Sequence, residues 1–466
     1  MSDIVIIGGG IAGLTGAMLL ARDGHHVTVL ERDPAPPSAP GAAWTEWERR
    51  GVGQFRLPHS FLARFRVLVD AELPDVAAAL EAEGATRVNR ITQLPDALTG
   101  GWRPGDERFE VLTGRRPMVE ATIARAAGRE PGVEIRRGVA VHGLTTADAG
   151  PVPHVTGVVT DDGEHVPADL VVDASGRRSG LPDLLAGAGI RRPVEEAADS
   201  GFVYYGRHYR STDGAMPPMF GPPLQPYDSL TILTLPADNG HWSVTLTASA
   251  KDAVMRRTRQ VDVWERVVRS YPLIAHWIDA EPVTEIDVMA KIEDRVRRFA
   301  VDGTPIATGV VAIGDAWACT NPSVGRGASL ALLHAVALRD ALRKAGTDDA
   351  AELLWQFEEI TAAVVEPLVG DTMRFDRHRL AQIDAPIAGR AYATDDPGWN
   401  VGQALAAAAP RHPDLLRAAM DVGGLLERGV DVLARDSMID TLLAAGPADP
   451  PPGPSRADLV GIIGSG

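Results

Sequence analysis

The run Ile4-Val5-Ile6-Ile7-Gly8-Gly9-Gly10-Ile11-Ala12-Gly13 decides the fold of this chain. Asp3 to Ile7 is a short, mainly apolar stretch that ends on glycines, which reads as a buried strand. Ile11 to Arg22 has helical spacing with few breakers, and His26 to Leu30 is a second short apolar stretch. Strand, helix and strand thus follow in close order, with Gly8-x-Gly10-x-x-Gly13 at the first junction. Gly8 permits the tight turn, Gly10 lets the backbone approach a pyrophosphate with no Cβ in the way, and Gly13 lets the helix pack closely on the strand. The helix opens on Ile11 and Ala12, where free N–H groups and the dipole favour negative charge. Glu31 follows the second strand, placed to accept the ribose hydroxyls of an adenosine, with Arg32 beside it. The pattern predicts a dinucleotide site without saying which dinucleotide.

Far along the chain, Ala312-Ile313-Gly314-Asp315-Ala316 ends another apolar stretch, Val310 to Ile313, and continues through Pro322, Gly325 and Gly327 into the helical pattern Ala328 to Leu342. This segment resembles the GDAxxxxxPxxGxG motif of the flavoprotein monooxygenase family with the para-hydroxybenzoate hydroxylase fold. The resemblance implies that Gly314 and Asp315 meet the ribityl chain of FAD, and that Pro322, Gly325 and Gly327 line its isoalloxazine ring. A helix N-terminus at the pyrimidine edge would stabilise the anionic reduced ring. Arg49-Arg50-Gly51-Val52 is similar to the family's Arg-x-Gly-Val segment, which would send Arg49 to the pyrophosphate. Arg116 opens a pattern like Arg-x-x-hydrophobic-Glu and would also face the cofactor, and Val141 would meet the adenine through its backbone. The third motif is a variant, Val172-Asp173-Ala174-Ser175-Gly176, in which Asp173 matches the family's aspartate. It looks more like the halogenase, geranylgeranyl reductase and polyether epoxidase branches. The electron source is therefore either NAD(P)H docking transiently or a separate flavin reductase.

Halogenation fits poorly, because there is no lysine before Lys251 and Trp44-Thr45-Glu46-Trp47 does not match the halogenase tryptophan motif. Arg49 to His59 resembles a segment of actinobacterial FAD epoxidases and related tailoring enzymes, with Gly53 in place of the usual proline. The resemblance implies hydroxylation or epoxidation of a small or medium hydrophobic organic substrate with O2, through a flavin C4a-hydroperoxide, in natural-product metabolism. The alternative is a reductase or dehydrogenase like the geranylgeranyl reductases. Two residues are candidates for a part in the chemistry: His59, as a hydrogen-bond donor to substrate or oxygen adduct or else a structural histidine, and Arg326, as a steering charge or else a solvated side chain. Cys319 reads as a small buried residue, and Trp317 as either pocket wall or core. Alternation along the predicted strand Gly201 to Tyr209 puts Tyr205, Arg207 and Tyr209 on one face and Tyr204 and His208 on the other. Arg295, Arg297 and Arg298 read as a solvated face.

The expected fold class is α/β. A Rossmann-like FAD-binding domain (residues 1–75, 105–182 and 290–345) holds an inserted antiparallel-sheet substrate domain (76–104 and 183–289), followed by a C-terminal helical region and tail (346–466). A formal charge of −16 argues against nucleic acid as a partner. One cysteine excludes an intrachain disulfide and a cysteine-based zinc site, and no metal is expected. With no apolar run of bilayer length and no signal-peptide pattern at Met1 to Gly10, the expected location is cytoplasmic. Composition leaves the oligomeric state open.

Overall fold

A computed structural model describes residues 1–49, 51–147, 151–301, 303–446 and 450–464. The opening segment forms strand β1 (Asp3–Ile7), helix α1 (Ile11–Arg22) and strand β2 (His26–Glu31). Helix α2 (Arg116–Ala127) and strands β3 (Val133–Arg137) and β4 (Leu170–Asp173) follow. Strand β5 (Phe202–Arg210) lies between these and β6 (Thr231–Pro236), β7 (His241–Ser249) and helix α3 (Val261–Arg269). Strand β8 (Val310–Ala312) then leads to helix α4 (Gly327–Ala345).

Five strands make a parallel sheet in the order β8-β4-β1-β2-β3. Strands β1, β4 and β8 are near-continuous apolar runs because helices cover the faces of the sheet, as parallel sheets require, while the edge strand β3, Val-Glu-Ile-Arg-Arg, is only partly buried. Ile4, Ile6, Val29, Leu170 to Val172 and Ile313 are almost wholly buried in the largest core cluster. Non-consecutive strands become neighbours, so β8, from late in the chain, lies beside β4 and brings its following loop next to the β1–α1 loop. Gly314 and Ala12 meet there, since a Cβ on Gly314 would lie 3.2 Å from that of Ala12.

The second main sheet is antiparallel. It runs from Leu224–Pro226 through β6, β7 and β5 to Glu281–Pro282, with Asp287–Ala290 also pairing with β5. The two faces of β5 divide as alternation predicts. Val203, Tyr205 and Tyr209 join a core with Trp264 of α3, whose indole N–H donates to the Tyr205 carbonyl at 3.0 Å. Phe202 and Tyr204 pack on the other side with Ile292 and Ile383, and His208 reaches the Arg56 carbonyl at 3.1 Å.

Helices α5 (Glu366–Ile387), α6 (Pro397–Ala408) and α7 (Pro413–Gly423) build most of the C-terminal region. The tail then forms helix α8 (Arg456–Gly464), which sequence reading left unassigned. Leu459 and Ile463 bury against the α3 core, and Arg456 pairs with buried Asp252. Its signal was Ser455-x-x-Asp458, the spacing of a capping box, and the Ser455 hydroxyl and Asp458 carboxylate do hydrogen-bond at 2.7 Å. Among the described residues no helix is long and apolar enough to cross a membrane.

The arginines of residues 295–298 correct the expected solvated face. Arg297 is buried, donating to Glu195 at 2.8 Å and to the Ala316 carbonyl at 2.8 Å. Arg295 donates to the Arg177 carbonyl, and Arg298 alone is exposed. The strand that carries them is covered on both edges, so its charges are matched rather than solvated.

Candidate active site

The β1–α1 loop is shaped by close backbone contacts. Gly8 has φ +107°, and a Cβ there would lie 2.7 Å from the Ala174 carbonyl oxygen. A Cβ on Gly13 would come within 2.0 Å of the Gly8 carbonyl oxygen, so only glycine fits. Gly10 differs: its Cβ would meet no protein atom within 4 Å. Gly10, Ile11 and Ala12 border a large chamber, and no side chain caps the α1 N-terminus. Open space in front of uncapped N–H groups is what a dinucleotide pyrophosphate requires, so the residues present fit one.

Beneath the loop lies a buried ion network. Glu31 accepts hydrogen bonds from the Gly9 N–H at 2.8 Å and the Asp33 N–H at 2.9 Å, and pairs with Arg49 at 2.5 Å. Arg49 also donates to the Gly9 carbonyl at 3.2 Å and to Glu120 at 2.6 Å. Glu120 in turn takes the Arg116 Nε at 2.5 Å. Desolvation pushes the Glu120 carboxyl up, but Arg116 and Arg49 outweigh it and hold it at about 2. Both arginines line the chamber, yet Arg49 is matched by protein carboxylates and ties down the Gly9 peptide. Glu120 is the glutamate of the pattern that Arg116 opens, a residue to which no role had been assigned, and its spacing from Arg116 is that of facing residues on a helix.

His59 also lines the chamber, and both its ring nitrogens are engaged. Nδ1 lies 2.7 Å from the Leu57 carbonyl and Nε2 lies 3.0 Å from the Arg116 guanidinium. A carbonyl and a guanidinium fix the roles: Nδ1 donates and Nε2 accepts. Burial, reinforced by Arg116, pulls the imidazole down to about 3, so it is neutral. In this arrangement it orients Arg116 and has no proton to offer the chamber.

Asp315 lines the chamber with no protein hydrogen bond to its carboxylate among the described residues. Burial raises its pKa, while Arg116, Arg177 and Arg295 pull the other way. A desolvated carboxylate facing a cavity is suited to a hydroxyl-bearing ligand such as a ribityl chain. Asp173, by contrast, is taken up by its own turn, accepting from the Ser175 N–H at 3.0 Å and from the Ser175 and Ser179 hydroxyls. Glu31, Arg32, Val141, Pro322, Gly325 and Gly327 all border the chamber, and Gly314 lies one residue outside it. Cys319 borders it too, with burial pushing its thiol up to about 12, which keeps it protonated. Trp317 is core, packed edge-on against His334.

Arg326 is partly buried at the α4 N-terminus and donates to Thr372 at 2.9 Å. Nearby, Asp376 of α5 accepts the Ser323 hydroxyl. Burial, together with Asp294, pushes the Asp376 carboxyl up to about 7, against the pull of Ser323 and Arg326. A carboxyl raised above its ordinary 3.8 on folding binds its proton more tightly when folded. Its contribution is therefore fully present below about pH 4 and is lost as pH rises through about 7. Thermal unfolding midpoints should fall as pH rises from about 4 through about 7 and level off above that, and Asp376→Asn should flatten that fall. An identical pH slope in the variant would remove the assignment.

The chamber is a single cavity of about 2240 Å³. It runs from the glycine loop past Asp315 to Leu233 and Leu235 of β6, and on to Trp399 of α6 and Leu416 and Met420 of α7. The sequence left the late helices, including Met373 to His378, either closing the pocket or forming a dimer surface; the structure makes them part of the chamber wall. The tyrosines of β5 lie outside it, behind the sheet face.

The uncapped glycine loop and the Asp315 carboxylate open onto one largely apolar chamber beside the parallel sheet, a cavity whose residues fit a dinucleotide. Comparison with known proteins agrees. Residues 3–84 match the family described as FAD dependent oxidoreductase. Protein Rv3254 of Mycobacterium tuberculosis is 28% identical over 385 residues, 78% of each chain. The chloroplastic zeaxanthin epoxidase of Oryza sativa subsp. japonica is 29% identical over 193 residues, covering 40% of this chain and 26% of that protein. PqsL, a probable FAD-dependent monooxygenase from Pseudomonas aeruginosa, shares the fold with a TM-score of 0.61 at 18% identity, over 82% of this chain and 97% of PqsL. The chain is an FAD-dependent oxidoreductase with the mixed α/β fold of flavin monooxygenases.

Proposed function

We propose that the protein is an FAD-dependent monooxygenase that hydroxylates or epoxidises a small or medium hydrophobic organic molecule, in natural-product metabolism. One observation carries this reading: the chamber that holds the dinucleotide cradle continues without a break into apolar space. Its volume is more than twice the roughly 1,000 Å³ upper end for small-molecule pockets, leaving room for a substrate beside the cofactor. Homology to a zeaxanthin epoxidase and the fold of PqsL support oxygen insertion over simple dehydrogenation. Gly8, Gly10 and Gly13 in a Rossmann-like FAD domain, with Glu31 and Asp315, would hold the cofactor. Bound FAD, once reduced, would supply the electrons that activate O2, one atom of which would enter the substrate while the other leaves as water. The protein's own part is positional: Glu120 aligns Arg49 and Arg116, His59 orients Arg116, and Leu233, Leu235 and Met420 exclude water from the substrate. Electrons come from NAD(P)H or from a separate flavin reductase.

The test is rapid mixing of the anaerobically reduced, FAD-loaded protein with oxygenated buffer. A transient flavin spectrum distinct from the oxidised and reduced forms is expected. Direct return to the oxidised spectrum, both alone and with hydrophobic candidate substrates present, would favour the reductase or dehydrogenase reading instead.

A further inference from the structure

Several arginines near the chamber are matched by carboxylates: Arg49 and Arg116 by Glu120, Arg374 and Arg428 by Asp371, and Arg417 by Asp106. Of the chamber-lining arginines whose side chains make no hydrogen bond or ion pair among the described residues (Arg32, Arg177, Arg178, Arg390 and Arg90), Arg90 alone has its Nε buried. It opens the short helix Arg90–Gln93 and lines the chamber, and its side chain makes no hydrogen bond or ion pair among the described residues. Its Nε is buried without a partner. The adjoining wall is apolar, since Leu94, Phe109, Leu416 and Met420 also line the chamber and cluster with Ile91, the next residue.

The backbone there is held in place. The Asn89 side chain accepts from the Ile91 N–H at 3.0 Å and donates to the Asp106 carbonyl at 2.7 Å, and Arg417 grips the Asp106 carboxylate at 2.8 and 2.6 Å. Burial pulls the Arg90 guanidinium down only to about 10, so it stays charged at neutral pH. An uncompensated buried charge costs several kcal/mol. Acidic residues are not scarce, with 62 Asp and Glu against 46 Lys and Arg, so a counter-ion could have been supplied by the chain.

We propose that Arg90 is the anion-binding residue of the substrate chamber, and that the substrate is an apolar molecule bearing a carboxylate or other anionic oxygen group. The guanidinium fork matches a carboxylate through two parallel hydrogen bonds, and the surrounding Leu94, Phe109, Leu416 and Met420 accommodate the apolar body. This deepens the monooxygenase reading and rests on the chamber being the substrate site. It names the end of the substrate that is held, and so restricts which part can approach the cofactor.

The probe pair is 2-naphthoate and its neutral isostere 2-naphthamide, titrated into the FAD-loaded protein and followed by calorimetry. The wild type should bind the carboxylate at least tenfold tighter, about 1.4 kcal/mol. Arg90→Met should abolish that preference while retaining FAD and the affinity for the amide. The ligand-free Arg90→Met protein should unfold at the same or a higher denaturant concentration, because an unpaired charge has gone; an arginine with a structural role would show a drop. Equal binding of the two probes by the wild type, no binding of either, a clear loss of stability, or a preference that survives in Arg90→Met would each overturn the proposal. So would loss of the preference in Arg326→Met alone, which would assign the anion to the flavin loop. Binding needs no turnover, so this experiment fails or succeeds independently of the oxygen test.

Discussion

Glu120→Ala should destabilise the protein by about 3–5 kcal/mol, the cost of removing one partner from a buried ion network. Glu120 is 2% exposed and is the carboxylate shared by Arg49 and Arg116. Removing it leaves Arg116 hydrogen-bonded only to the neutral His59 imidazole among the described residues, and leaves Arg49 to Glu31 and Asp33. The Gly9 peptide is held from both ends by that network, its N–H on Glu31 and its carbonyl on Arg49. The loss should therefore spread to the glycine loop and weaken FAD retention as well. Urea unfolding of the wild type, Glu120→Ala and Glu120→Gln checks the first part, and the flavin content of purified protein checks the second. The pH dependence gives a separate signature. A carboxyl lowered from 4.5 to about 2 on folding adds stability that is fully present above about pH 4.5 and is lost as pH falls through about 2. The variant should lack that acid-side contribution. A loss below 1 kcal/mol at neutral pH would mean that the network is not needed to hold the loop.

The parts of the molecule that could be read from sequence are those where a residue type answers to backbone geometry. Gly8 and Gly13 are such positions, and the spacing of apolar runs around them placed β1, α1 and β2 within a residue of their observed ends. Alternation likewise sorted the two faces of β5, because the strand period is fixed at two. What could not be read depends on which distant segments meet. Arg49 and Glu120 are 71 positions apart, and no local pattern shows that the arginine is matched by protein before any cofactor arrives. His59 could be named as a candidate, but the carbonyl and guanidinium that fix its tautomer lie outside its own motif. Arg297 was misread because charge next to charge looks solvated until the covering strands are known. The α5, α6 and α7 helices could be read as closing the pocket or as a dimer surface, and the sequence could not choose; part of the chamber wall and of the setting of Arg90 lies there.

Gly13→Ala and Gly10→Val should fail in opposite ways, although the two glycines belong to one motif. At Gly13 the added methyl would sit 2.0 Å from the Gly8 carbonyl oxygen, 3.2 Å from its carbon and 3.3 Å from the Ala174 Cβ. The first of these is backbone that cannot step aside. Helix α1 would have to lift from the sheet, exposing Leu14, Ala17 and Met18, each of which is now almost wholly buried. Such a change belongs with the severe core substitutions, at more than about 4 kcal/mol, and should yield little soluble protein. At Gly10 the backbone is extended, with φ −90° and ψ −172°, which suits valine, and no protein atom lies within 4 Å of the new Cβ. The cofactor-free Gly10→Val protein should therefore unfold within about 0.5 kcal/mol of the wild type. The space its side chain fills is the space assigned to the pyrophosphate, so FAD should bind on the order of a hundredfold more weakly, about 2.8 kcal/mol. Cofactor-free stability and FAD titration, measured side by side, separate the two effects. A Gly10→Val protein that purifies with a full flavin complement would show that the dinucleotide does not cross the α1 N-terminus, and an equally stable Gly13→Ala protein would show that the α1–sheet contact is looser than its backbone geometry requires.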